Sequence, residues 1–179
     1  MKGILFKPEM IQAIVEGRKT VTRRVIKPQP IIAQTYKGLT LKDLEYDGFK
    51  PRYQIGETVY IKEAGAWDNK TKFRAYKANM PDTQTKWQSP LLMPEWAARY
   101  FVLIKDVRAE RLQEIAEQDA KAEGATPIYE STPTGYYFDF AGYIRGFHRL
   151  WDSINKDYPW ESNPWVFRYE FEYQSKENV

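Results

Sequence analysis

The chain contains no cysteine and a single histidine, His148. The first absence excludes disulfides and thiol chemistry and fits a cytoplasmic protein. The second argues against a histidine-based metal site, and no carboxylate cluster has the spacing of a calcium loop, so the sequence requires neither metal nor cofactor. No apolar run approaches the length of a membrane span. The charged opening MKGILFKPEM lacks the apolar centre of a secretory signal, so no membrane partner is expected. Internal repeats, low-complexity tracts and domain linkers are missing too. The net charge is only +3, which leaves any nucleic-acid reading to local clustering of charge.

What is present is a folded composition. With 179 residues, 42% hydrophobic and 16% aromatic, the chain suits one domain with a sizeable core and is short for two. ILF (4–6) reads as a strand, and Pro8 as the first residue of a helix that runs to a glycine cap at Gly17. Residues 31–50 and 125–138 read as elaborated loops. Strands are expected at 57–64, 72–78 and 100–112, and short helical segments around Pro94 and over 115–124. Phe140, Ile144, Phe147, Trp151 and Ile154 recur at helical spacing, the clearest amphipathic helix in the chain. Trp165, Phe167, Tyr169 and Phe171 alternate with Val166, Arg168, Glu170 and Glu172, a period-two strand with one aromatic face. Strands and helices do not alternate as βαβ units, which indicates an α+β domain on a small mixed sheet or barrel.

The octet GRKTVTRR (17–24) holds four basic side chains and no acid, and Arg18, Lys19, Arg23, Arg24 and Lys27 fall within ten positions. Three readings compete: a solvated helix end complementing the dipole, a phosphate site, and catalysis by Lys19 and Thr22. The last requires the chain to turn after Gly17, because residues three apart on a strand point to opposite faces. A threonine hydroxyl needs a neighbouring base. A lysine amine can serve when burial or adjacent cations, here Arg18 and Arg23, lower its pKa.

The stretch ILFKPEMIQAIVEGRKTVTRRVIKPQP resembles the opening of ASCH-domain proteins, in particular the longer type common in bacteriophages and prophages. Their signature G-x-K-x-x-T-x-R corresponds to Gly17, Lys19, Thr22 and Arg24. GETVYIKEAGAW, MPEWAAR, RLQEIAEQDAKAEG, LWDSIN and NPWVFRYEFE agree with the family as well, so the likeness spans nearly the whole chain. The resemblance implies a PUA-like β-barrel decorated with short helices and one longer amphipathic helix. One small branch of the family removes acetyl from N4-acetylcytidine with a lysine, a threonine and a glutamate, which would fall here on Lys19, Thr22 and Glu123. Thr22 would attack the amide, Lys19 take its proton, and Glu123 orient the pair or protonate the departing nitrogen, with Arg24 or a backbone N–H meeting the oxyanion. A second branch is associated with cleavage of single-stranded RNA. This chain departs from the small amidohydrolases in its length and in the doublet Arg23–Arg24.

Other candidates are weaker. Lys62 and Glu63 face opposite ways on a strand, so only one can line a cleft, and Glu63 could pair with a cation of the octet or simply form a surface pair. Trp67 and Trp87, near Lys62, Lys72 and Lys86, suit base stacking with phosphate capture, or merely cover an open end of the barrel. Glu123 stands in a last helical turn against the dipole, a small cost that hints at a purpose. Trp151, Trp165 and Phe167 read as core, His148 as a surface or boundary residue, and Asn163 and Pro164 as structural; Trp96 and Trp160 stay unassigned. Three functions result, in order: binding of RNA or a modified nucleoside in an electropositive cleft, amidohydrolysis of N4-acetylcytidine, and cleavage of single-stranded RNA.

Overall fold

A computed structural model describes residues 1–30, 40–79, 86–129 and 142–176. Pro8 opens helix α1 (Pro8–Val15) where a missing N–H is harmless, and Gly17 ends it in the left-handed region at φ 74°. Helix α3 (Glu117–Ala122) ends in the same way, with Gly124 at φ 78°. Strands β1 (Gly3–Leu5), β2 (Val21–Val25), β3 (Thr58–Lys62), β6 (Tyr100–Arg111) and β7 (Trp165–Ser175) form one sheet in the order β1-β3-β6-β7-β2. The β1–β3 pairing is parallel and the others antiparallel, so the sheet is mixed. A separate ribbon pairs β4 (Gly65–Trp67) with β5 (Arg74–Tyr76). Helices α2 (Leu41–Tyr46) and α4 (Gly142–Ile154) complete the α+β architecture.

The expected barrel is not closed. Among the described residues the hydrogen-bonded order starts at β1 and stops at β2. The two margins still approach each other, because Arg24 on β2 donates through Nη2 to the Leu5 carbonyl of β1 at 2.6 Å. One guanidinium stands where a barrel would carry a ladder.

The main core lies on the sheet face covered by α1 and α2, where Ile14, Val59, Ile61 and Val102 are sealed from solvent with Tyr169 and Phe171. Burying each such side chain fully contributes about 1.5–3 kcal/mol before entropy is counted. The alternation in β7 predicts one buried face, but the opposite face is buried as well. Val166 packs there beneath Phe147 and Trp151 of α4, and Arg168 is also shielded. Helix α4 comes close because residue 146 is glycine: a Cβ there would sit 1.9 Å from the Thr126 carbonyl oxygen. Glu117 of α3 accepts from the Tyr143 and Ile144 N–H groups at 2.6 and 3.2 Å, anchoring α4 to α3.

Part of the expected 31–50 loop is helical. Residues 31–39 lie outside the described set, whereas Thr40 and Asp43 form a reciprocal cap that starts α2. Thr40's hydrogen bonds hold the Asp43 carboxyl below its ordinary pKa. Gly48, at φ 89°, then turns the chain toward Phe49 and Lys50. The strand expected over 72–78 is shorter, since Lys77–Asn79 tighten into a 3-10 turn. Residues 130–138 and Phe140 lie outside the described set.

Candidate functional site

The turn required for cooperation between Lys19 and Thr22 is present. Behind Gly17, the Lys19 N–H returns to the Ala13 carbonyl and the Thr20 N–H reaches Ala122 of α3, so β2 begins directly at Val21. Lys19, Thr22, Arg23, Arg24 and Glu123 line one cavity of about 300 Å³, with Phe6 and Met10 on one side and α4 on the other. Lys19 and Glu123 are only 4% and 3% exposed.

Every donor of the Lys19 ammonium is engaged. Nζ lies 2.7 Å from the Val21 carbonyl, the Glu123 carbonyl and Glu123 Oε2. Burial pulls the Lys19 pKa down; the Glu123 charge and hydrogen bond oppose that, and Arg24 and Arg23 reinforce it. The depressing neighbours are therefore Arg24 and Arg23, not Arg18. Arg18 is exposed, ion-paired with Glu16 and turned toward a different surface hollow.

Arg23 has no exposed side-chain surface and is held by three carboxylates: Glu110 at 2.7 Å, Asp119 at 2.9 Å and Glu123 at 3.2 Å. Asp119 in turn accepts from Arg168 at 3.0 Å. Desolvation would raise the Asp119 pKa, but Arg168 and Arg23 outweigh it and hold the carboxyl below its usual value. Lys19, Arg23 and Arg168 thus face Glu123, Glu110 and Asp119 in a network whose cations are buried while Glu110 and Asp119 stay partly exposed, and Arg168 also pairs with Asp106 and Glu170. The reading of the sequence missed Asp119, Glu110 and Arg168. The signal available for Asp119 was its place four residues before Glu123 on one helix, which puts both carboxylates on the same face.

Two groups in the cavity lack partners. Thr22 is a buried residue, and no described residue hydrogen-bonds its hydroxyl, which opens onto the cavity. Arg24 Nε is hidden from solvent and likewise unpaired, although the same guanidinium bonds Leu5 and lies 5.2 Å from the Phe6 ring. Burial draws the Arg24 pKa down, yet an arginine keeps its charge. The edge of β2 adds a further donor. The Phe171 N–H bonds Thr20 and the Ile26 N–H bonds Trp165, so the even-numbered residues of β2 face β7. Antiparallel alternation leaves the peptide groups of Val21, Arg23 and Val25 on the free margin. Lys19 takes the Val21 carbonyl, and alternation leaves the Arg23 N–H on the same free margin.

The remaining predicted residues lie elsewhere. Glu63 pairs bidentately with Arg99 at 2.8 Å and 2.8 Å, not with a cation of the octet. Lys62 donates to the Leu91 carbonyl at 2.9 Å and lines a second cleft, on the opposite side of Arg24 from Lys19. Trp67 packs beside Met93 and Ala97 as cover for a small core, and neither it nor Trp87 or the exposed Lys86 lines the Lys19 cavity. Trp96 donates to Asn69, and Trp160 stacks on His148, which contacts Asp152. Among the described residues, no group of three or more histidines, aspartates or glutamates is placed to hold a metal ion, and no helix is long and apolar enough to cross a membrane.

Fold and site together define an α+β protein with an open mixed sheet whose free margin carries a buried lysine–glutamate pair beside an unpartnered threonine. No family model and no curated protein sequence matches the chain. Among solved structures it is similar to the crystal structure of protein EF3133 from Enterococcus faecalis V583, described under the family model DUF984. That match has 12% identity and a TM-score of 0.47 and covers 98% of this chain and 81% of the other, a likeness too remote to bear on the site.

Proposed function

We propose that the protein is a long ASCH-type hydrolase that binds an acylated nucleobase in the Lys19 cavity and cleaves its exocyclic amide, with N4-acetylcytidine as the model substrate. The observation that carries this reading is the convergence of Lys19, Thr22 and Glu123 on one cavity in which the threonine hydroxyl has no competing partner. A site for binding alone has no need of a buried amine beside a free hydroxyl. The volume, about 300 Å³, is at the small end of ligand cavities and suits a nucleobase with a short acyl group.

In the reaction, Thr22 Oγ adds to the acyl carbon and its proton passes to the neutral Lys19 amine once that amine has turned a lone pair away from one of its three oxygen partners. The oxyanion meets the free Arg23 N–H and the Arg24 guanidinium. The C–N bond then breaks as Lys19 returns the proton to the departing nitrogen. The free amine leaves, and water then hydrolyses the threonine ester to acetate and the restored Thr22 hydroxyl. The competent form carries a neutral amine, and turnover should rise with pH toward the lowered Lys19 pKa.

Purified protein should release acetate from N4-acetylcytidine, and Thr22→Ala should abolish release while Thr22→Ser retains part of it. Undiminished release from Thr22→Ala would remove this residue from the reaction.

A further inference from the structure

Arg24 is a shared wall. On its far side lies a cleft of about 810 Å³ between the two margins of the sheet, floored by Phe167 and Tyr169. Its lining carries Arg24, Lys27, Lys50, Arg52 and Lys62 against one carboxylate, Asp47. That local excess is larger than the +3 of the entire chain. The Lys27, Lys50 and Arg52 side chains are exposed and form no ion pair with a described residue. Three arginines outside the cleft, Arg23, Arg99 and Arg168, are by contrast neutralised by carboxylates. The unpaired cations reach the cleft by definite local structure, since the glycine turn after α2 delivers Lys50 and Arg52, and the end of β2 delivers Lys27.

We propose that this cleft binds the phosphate groups of the substrate whose base sits in the Lys19 cavity, so the substrate is a phosphorylated nucleoside and not the free nucleoside. The assignment of the base rests on the hydrolase reading above; the phosphate site rests on its own cations. Leu5 and Arg24 line both hollows, so a base in one and phosphate in the other are neighbours. Guanidinium and ammonium groups with no carboxylate partner suit phosphate oxygens. The phosphate can belong to a mononucleotide or to a strand.

The test measures binding by calorimetry in the Thr22→Ala background, using N4-acetylcytidine, its 5′-monophosphate and a short oligoribonucleotide containing it. The phosphorylated ligands should bind at least tenfold more tightly than the nucleoside at low salt. That ratio should collapse in Lys50→Glu/Arg52→Glu and, independently, in Lys27→Glu, each checked for an unchanged melting temperature. For the oligonucleotide, the slope of log K against log salt should fall by about 0.7 for each contact removed. A preference already present in the monophosphate places a terminal phosphate in the cleft, and one seen only with the oligonucleotide places a strand backbone there. Equal affinity for nucleoside and phosphorylated forms, or a ratio that survives charge reversal, overturns the proposal. If the Thr22→Ala protein shows the preference but the unsubstituted protein releases no acetate, the hydrolase reading alone is refuted; if the unsubstituted protein releases acetate and the preference is missing, the phosphate site alone is refuted.

Discussion

At the scale of single residues, the most informative group is a hydroxyl that bonds nothing. The Thr22 hydroxyl opens onto the cavity and bonds no described residue, so folding alone gives no reason for threonine at position 22. Thr22→Val keeps the shape and removes the unpaired group. Its urea midpoint should equal or exceed that of the parent while acetate release disappears, and a loss above about 1 kcal/mol would show that the hydroxyl is bonded after all. The octet GRKTVTRR made Lys19, Thr22 and Arg24 legible, because their spacing and the glycine before them are local. The fate of Arg168 was not legible. Strand alternation assigns it to solvent, but Asp119, brought over it by α3, joins Asp106 and Glu170 in making it a buried ion-pair partner.

At the scale of elements, α3 is too short to persist alone and depends on its surroundings. Its backbone is tied to the octet through the Thr20 N–H to Ala122 hydrogen bond, and its last turn aims the Glu123 carbonyl and carboxylate at one amine. Gly124 makes that turn. A methyl group there would meet Lys19 Cβ at 3.3 Å, whereas one at Gly17 meets nothing within 4 Å. Both Gly124→Ala and Gly17→Ala should lose about 1–2 kcal/mol of stability from left-handed strain. Only Gly124→Ala should in addition shift the pH profile of turnover; identical profiles for the two variants would show that the turn does not position Lys19. Proline and glycine signals placed α1 and α3 well. Helix α2 went unread because six residues carry no period, even though Thr40 and Asp43 have the spacing of a cap.

At the scale of the whole molecule, buried phenols set an alkaline limit. Desolvation raises the pKa of Tyr53, Tyr60, Tyr76 and Tyr173, and pushes Tyr169 up to about 12. The folded state then holds protons that the unfolded state releases above pH 10. Stability is whole below pH 10 and is lost as pH rises through about 12, with Tyr169 contributing about 2–3 kcal/mol of that loss. Lys19, whose pKa is lowered, acts in the opposite sense up to its unfolded value of 10.5, so the decline should dominate beyond that. Urea midpoints at pH 10, 11 and 12 should fall, less steeply in Tyr169→Phe; a flat profile would contradict the assignment. Strand order was the least legible feature, since the pairing of β1 with β3 and of β2 with β7 joins distant segments and leaves no local mark in the sequence. The single reach of Arg24 to Leu5 has a mechanical corollary. It is a latch, not a weld: among the described residues no ladder joins the two margins, so the lips of both hollows can part without unzipping any pair of strands, against that hydrogen bond and the packing of Phe6 on Phe171.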